Sequence, residues 1–136
     1  MNYKIQRQLT VALENQPGRL AAICRKLAEH NINIKDLSVL DNIEQGVIRL
    51  VTSDPAKTRE LLVKEGHYVV EAEVLIVDLR DAPGQLARLS DALANAGVNI
   101  DYAYGSEDPA EEKMRVIIKA SPLGRASEVL STFSET

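Results

Sequence analysis

The sequence predicts an α+β protein made of two copies of one β-α-β-β-α-β unit in tandem. Three observations predict it. The stretch NQPGRLAAICRKLAEHNINI, Asn15 to Ile34, is written again 66 residues later as DAPGQLARLSDALANAGVNI, Asp81 to Ile100. Apolar residues alternate before each Pro-Gly and recur at helical spacing after it. The second copy stops at Ser134-Glu135-Thr136, so it is expected to lack its last strand.

At an offset of 66, residues 9–51 match their counterparts at 12 of 43 positions without a gap. Chance offsets give scattered matches. They do not give Pro17-Gly18/Pro83-Gly84, Leu20-Ala21/Leu86-Ala87 and Asn33-Ile34/Asn99-Ile100 in one register. Arg49 and Arg115 match at the same offset. The repeat sets the expected domains, 1–73 and 74–136.

In the first unit, Ile5, Leu9, Val11 and Leu13 alternate with polar residues, which predicts a strand over 4–13. Pro17-Gly18 opens a helix, proline suiting a first turn. Leu20, Ile23, Cys24, Leu27 and Ala28 form an apolar stripe on that helix, which ends near His30-Asn31. A second strand is expected over 32–41, a polar turn at 42–45, and a third strand over 46–53. Asp54-Pro55 reads as a capping residue and a first-turn proline. The helix it opens stops at Gly66, a residue suited to a helix end. A strand over 67–73 completes the unit. The second unit reads as strand 74–80, helix 84–96, strand 98–104, an acidic turn 105–111, strand 112–120 and helix 122–133. No turn signal separates 67–73 from 74–80, so one long strand, or two with a bulge, is expected to serve both sheets. In each unit the helical stripes predict an antiparallel sheet with its helices on one face. The uncapped second sheet invites strand donation or subunit pairing.

Apolar residues make up 45% and charged residues 26%, an ordinary globular balance. The net charge of −4 argues against broad attraction to nucleic acid or an anionic membrane. The single cysteine, Cys24, cannot form an internal disulfide, which points to a reducing compartment and a cytoplasmic setting. The charged, alternating start is not a signal peptide, and no run reaches the roughly 20 apolar residues of a membrane span.

The loop after the first strand of each unit enters a helix directly. Backbone N–H groups there lack intrahelical partners, and the dipole adds partial positive charge, which suits an anion. Gly18 and Gly84 lack a Cβ and allow close approach. A ligand carboxylate could take the N–H groups. An ammonium could take side-chain oxygens of Asn15/Asp81 and Asn33/Asn99. Asn and Asp also simply cap helices and make turns, so the residues alone leave both readings open.

The repeated order (strand, Asn or Asp, Pro-Gly, Leu two residues on, helix, Asn-Ile) resembles the ACT domain, across nearly the whole chain. The resemblance implies ferredoxin-like units and a regulatory module that binds a free amino acid where two such units meet. It implies a ligand site at Asn15, Gln16, Pro17, Gly18, Arg19, Leu20 and Asn33 in the first unit. In the second it implies Asp81, Ala82, Pro83, Gly84, Gln85, Leu86 and Asn99. Asn15 and Asn33 match asparagines of serine-binding modules. Those modules carry histidine where this chain has Leu13 and Leu79, so an apolar or branched-chain amino acid is implied instead. The resemblance also implies a homodimer paired through sheet edges.

The remaining chemistry-bearing residues read as structural. Cys24 lies on the apolar stripe. His30 follows a helix, and His67 opens a strand away from any cluster at metal spacing. Tyr102 and Tyr104 read as sheet packing or subunit contact. No motif for an enzyme, a metal or a cofactor occurs, and no nucleophile–base pair can be assembled. The expectation is therefore no catalysis, no cofactor, no metal, no nucleic acid and no membrane. Two functions follow. One is a non-catalytic amino-acid-binding regulator. The other is an assembly protein or regulatory subunit of a metabolic enzyme, with vestigial ligand sites.

Overall fold

A computed structural model of the chain describes residues 1–14, 16–40 and 45–135. Its elements are β1 (Asn2–Leu13), α1 (Arg19–Glu29), β2 (Ile34–Leu40), β3 (Gly46–Thr52), α2 (Pro55–Lys64), β4 (Val69–Arg80), α3 (Gln85–Asn95), β5 (Asn99–Asp108), β6 (Lys113–Ser121) and α4 (Leu123–Thr132). Most of the expected turn at 42–45 lies outside the described residues. The expected strand pair at 67–80 is one strand, β4. Two compact units result: Arg7–Ala72, called here the first, and Met1–Gln6 with Glu73–Thr136, called the second.

In the first unit the strand order is β2-β3-β1-β4. β3 runs antiparallel to both β1 and β2, with Val11 opposite Ile48 and Leu9 opposite Leu50. Val11, Leu13, Ile48 and Leu50 point to one face, because side chains two apart on a strand share a side. There they join Ile23 and Leu27 of α1 and Leu61 and Leu62 of α2 in one core. The helices therefore cover a single face of this sheet. Cys24 is half-buried rather than part of that core, and the fully buried residues of α1 are Ile23 and Leu27.

The second unit repeats the plan in the order β5-β6-β4-β1. Leu75 opposes Ile118 and Val77 opposes Val116. These four pack with Leu89 and Leu93 of α3 and Ala126 and Leu130 of α4. The strand expected to be missing has a substitute. The opening residues of β1 belong to this unit and lie beside β4. Tyr3 packs against the second core, and its hydroxyl donates to the Ser127 carbonyl at 3.4 Å. Chain order hid this, because the residues that fill the last position are the first in the sequence.

The repeat is also not in one register throughout. Val11 opposes Ile48 in the first unit, whereas its counterpart Val77 opposes Val116. The offset is 77 − 11 = 66 on one strand and 116 − 48 = 68 on the next. The β5–β6 hairpin therefore carries two extra residues. Arg49 and Arg115, matched in sequence, are not structural counterparts: Arg49 sits opposite Thr10 and Arg115 opposite Asp78. The acidic turn is shorter than expected for the same reason. Glu107 and Asp108 lie in β5, opposite Met114 and Lys113.

Helix starts differ in one respect from the expectation. Pro17 precedes α1, and Gly18 is the residue that caps it, in the left-handed region at φ 86°; Gly84 does the same for α3 at φ 89°. The repeated glycine is thus required by the backbone before any ligand is considered. α2 matches the expectation: Asp54 Oδ1 accepts from the Lys57 N–H at 3.0 Å, and Pro55 is the first helical residue.

Gly105 in β5 has a different constraint. A Cβ there would collide with the backbone of Arg115 on β6, which can yield only if the strands part. Gly105→Ala should lower stability by about 1–3 kcal/mol, the usual cost of overpacking. Chemical denaturation reads this directly, and an unchanged midpoint would show that the hairpin can open at that point.

Candidate functional site

The sequence points to the start of α1 and α3, and each unit has a cavity at the strand end that leads there; Arg19 lines the first, whereas none of residues 81–86 lines the second. In the first unit the cavity is about 400 Å³ and is lined by Ala12, Leu13, Glu14, Arg19, Gln45 and the α2–β4 loop Glu65-Gly66-His67-Tyr68. In the second it is about 280 Å³ and is lined by Asp78, Leu79, Arg80, Glu111, Glu112, Lys113 and Glu135, with Met1 and Asn2. Leu13/Leu79, Glu14/Arg80 and Ala12/Asp78 are repeat counterparts, so the same place is hollow twice.

Chain geometry explains the position. β1 ends at Leu13 and α1 begins at Arg19, so the loop between them closes one end of the sheet. Gly66 ends the α2 segment with φ 91° and turns the chain back across that same end. The Ala12 N–H donates to the Tyr68 carbonyl at 3.2 Å and holds the two walls together.

Of the residues singled out in the first unit, Asn15 lies outside the described residues. Gln16, Pro17, Gly18 and Arg19 are exposed on the loop, and Leu20 packs against the first core. Arg19 Nη2 donates to Glu14 Oε2 and to Gln16 Oε1, both at 3.0 Å. Neither helix start has a side-chain cap, so first-turn N–H groups keep their capacity to bind an anion.

Asn33 is not brought to this loop. The Asn33 N–H donates to Ser53 Oγ at 2.9 Å, and the Ser53 N–H donates back to the Asn33 carbonyl at 2.9 Å. Leu13 pairs with Gly46, whereas Ile34 pairs with Thr52, six residues further along β3. At about 3.3 Å per residue that is roughly 20 Å, more than a free amino acid can span. In the second unit Asn99 likewise stands at the far end, where Nδ2 donates to Asp101 Oδ1 at 2.8 Å. Ser121 and Lys119 also donate to Asp101, and these bonds hold its carboxyl below the usual carboxylate range.

The second loop is polar in another way. Asp81, Pro83, Gly84 and Leu86 are exposed, Ala82 is half-buried, and Gln85 is buried at 5% exposure. The Asp81 N–H donates to the Glu112 carbonyl at 3.0 Å. Its carboxylate meets that of Glu107, and the hydrogen bond between them, together with like-charge repulsion, raises the Glu107 carboxyl above its ordinary value. Sequence reasoning missed Glu65, His67 and Tyr68 in the first cavity and Glu107, Arg80 and Glu135 around the second. Gly66 was visible as a helix end, but nothing in the sequence aims the loop after it at the site.

The sequence profile of the ACT domain pair matches residues 4–131. The chain belongs to the ACT domain pair family. A protein of Bacteroides thetaiotaomicron is similar over 96% of this chain and 90% of its own, at 31% identity and a TM-score of 0.88. The regulatory subunit of aspartate kinase from Thermus thermophilus, in ligand-free form, shares the fold at 18% identity, with 96% of each chain covered and a TM-score of 0.70. That from Thermus flavus does so at 22% identity, covering 96% and 95%, with a TM-score of 0.65. No curated protein matches. Among the described residues of this ACT pair, no helix is long and apolar enough to cross a membrane. Nor do they hold a group of three or more His, Cys, Asp and Glu fit for a metal ion.

The Asp81–Glu107 contact has a signed pH dependence. The folded protein binds the Glu107 proton more tightly than the unfolded chain does. The pair therefore favours folding at low pH, and stability falls as pH rises from the ordinary carboxylate value of 4.5 through the raised one. Glu107→Gln should raise the melting temperature at about pH 7, and the gain should vanish at about pH 4. A gain of equal size at both would assign the effect to something other than Asp81.

Proposed function

We propose that this ACT pair is a non-catalytic regulator that binds a free amino acid at the start of α1. The first-unit cavity is the observation that carries this reading. It is closed on one side by Leu13, and its Arg19–Glu14 ion pair offers a cation to a ligand carboxylate and a carboxylate to an ammonium. Its volume lies within the range of small-molecule sites, roughly 300–1,000 Å³. The apolar Leu13 wall supports an apolar or branched-chain side chain over serine. Asn33 can reach such a ligand only from another unit, which supports binding where units meet. Binding would act by linkage, shifting the chain toward whichever assembly holds the ligand more tightly. The lone cysteine supports a cytoplasmic setting.

Thermal unfolding against each of the twenty common L-amino acids at millimolar concentration tests the reading. A ligand at 100 times its dissociation constant adds about 2.7 kcal/mol and an upward melting shift. Arg19→Ala should abolish the shift. It should cost little stability of its own, because Arg19 makes only exposed contacts, worth about 0–1 kcal/mol. Gly18→Val is a poorer probe, since φ 86° strains a β-branched residue whether or not a ligand binds. No shift with any amino acid would overturn the reading.

A second reading, an assembly protein or a regulatory subunit of a metabolic enzyme, rests on β2. This strand stands at the end of the strand order, and Leu37, Val39 and Leu40 are 42%, 49% and 42% exposed. An edge strand with exposed apolar residues is a template for pairing. We propose a homodimer formed through β2. Sedimentation should give twice the 15.0 kDa chain mass, and Leu37→Lys with Val39→Lys should return it to the single-chain value. A parent chain that sediments as a monomer sinks the dimer.

A further inference from the structure

The two cavities differ in what holds their outer wall. In the first unit the wall after α2 continues into β4 and is fixed by the chain itself. In the second, the segment after α4 is Ser134-Glu135, and side chains hold it. Gln85 Nε2 donates to the Glu135 carbonyl at 3.1 Å, and Arg88 Nη1 donates to the same oxygen at 2.9 Å. Arg88 Nη2 donates to the Ser134 carbonyl at 3.0 Å. The Arg80 N–H donates to Glu135 Oε1 at 3.3 Å.

Gln85 is the first residue of α3, a position the sequence assigned to ligand binding, and it is 95% buried. Its amide is only half used. Oε1 is buried and has no hydrogen-bond partner among the described residues. A buried acceptor without a donor costs free energy and asks for one. In the first unit Arg19 stands at the matching position and bonds Glu14 and Gln16 instead.

We propose that Ser134–Glu135 is a displaceable latch over a second amino-acid site, built on Gln85 and Arg88. The Glu135 carbonyl oxygen marks where a ligand carboxylate oxygen would sit, since Gln85 Nε2 and Arg88 Nη1 converge on that point. Gln85 Oε1 is the acceptor for the ligand's α-ammonium. A bound amino acid would thus replace two donors' present partner and supply the third group with the donor it lacks. While the latch is closed, the apparent affinity of this site is reduced by the fraction of molecules in which it is open. The two sites of the pair would then fill in sequence, the open first-unit cavity before the latched second one. This inference rests on the proposed function, and extends it to regulation within the chain.

Backbone order parameters of residues 134–135 test the latch in the full chain. Without ligand the segment should be as ordered as a rigid backbone, about 0.85, and Arg88→Ala should lower it below about 0.6. A mobile segment in the parent chain, or an equally ordered one in Arg88→Ala, overturns the latch whatever binds elsewhere. With each of the twenty common amino acids at 10 mM, the one that raises the melting temperature should also release the segment. A melting shift that depends on Arg19 while the segment stays ordered overturns the second site and spares the first. No melting shift with any of them, and no release, overturns the proposed function together with this site. Gln85→Glu keeps the size of the side chain but replaces the Nε2 donor with an acceptor, and should release the segment without ligand.

Discussion

A βαββαβ unit needs a fourth strand beside its first, or the backbone of that first strand is left unpaired at an exposed edge. In this chain the requirement is met by two strands that each serve both units. β4 supplies Val69–Ala72 to the first unit and its remainder to the second. β1 supplies its opening residues to the second and Arg7–Leu13 to the first. The second unit is therefore completed by a stretch that sequence order assigns to the first, while the first keeps Val69–Ala72 as its own last strand. This accounts for the length of both strands, 12 residues each, about twice the usual strand.

The same arrangement sets up the two sites. In each unit the strand end, the helix start and the loop after the second helix converge on one end of the sheet. The first site has its outer wall built into a continuous strand. In the second, the place of that strand is taken by β1, so the segment after α4 is free of the strand and is held by Gln85 and Arg88. Duplication made the sites alike, and completing the second unit from the chain's beginning made them unlike. Charge follows the same division, since Glu14 and Arg19 stand where the second unit has Arg80 and Gln85.

The extra two residues in the β5–β6 hairpin lie beyond Ser106, since Ser106 faces Arg115 as its counterpart Leu40 faces Val47. Just past it, Glu107 meets Asp81 in a carboxyl pair. Gly105, whose counterpart is Val39, stands against the Arg115 backbone at a position where no side chain fits. A sequence alignment without gaps cannot see such an insertion, because Arg49 and Arg115 match by identity across it. Strand pairing reveals it at once, because register is set by hydrogen bonds rather than by residue type.

By itself the sequence determined the duplication, the α+β class, the strand and helix order, and the placement of Gln16–Arg19 and Gly84-Gln85 at helix starts. These are local properties: period-two and helical spacing, a capping Asp54, and a Pro-Gly repeated in register. The tertiary structure decided what local spacing does not carry. It moved Asn33 and Asn99 to the far end of the sheet, because 11-residue helices lie between them and the loops. It brought in His67, Tyr68 and Glu135, which stand far along the chain from those loops. It also decided that the second unit's last strand comes from residues 2–6. Proximity across a sheet depends on strand order and register, and in a chain whose first residues finish its last unit, neither follows from position in the sequence.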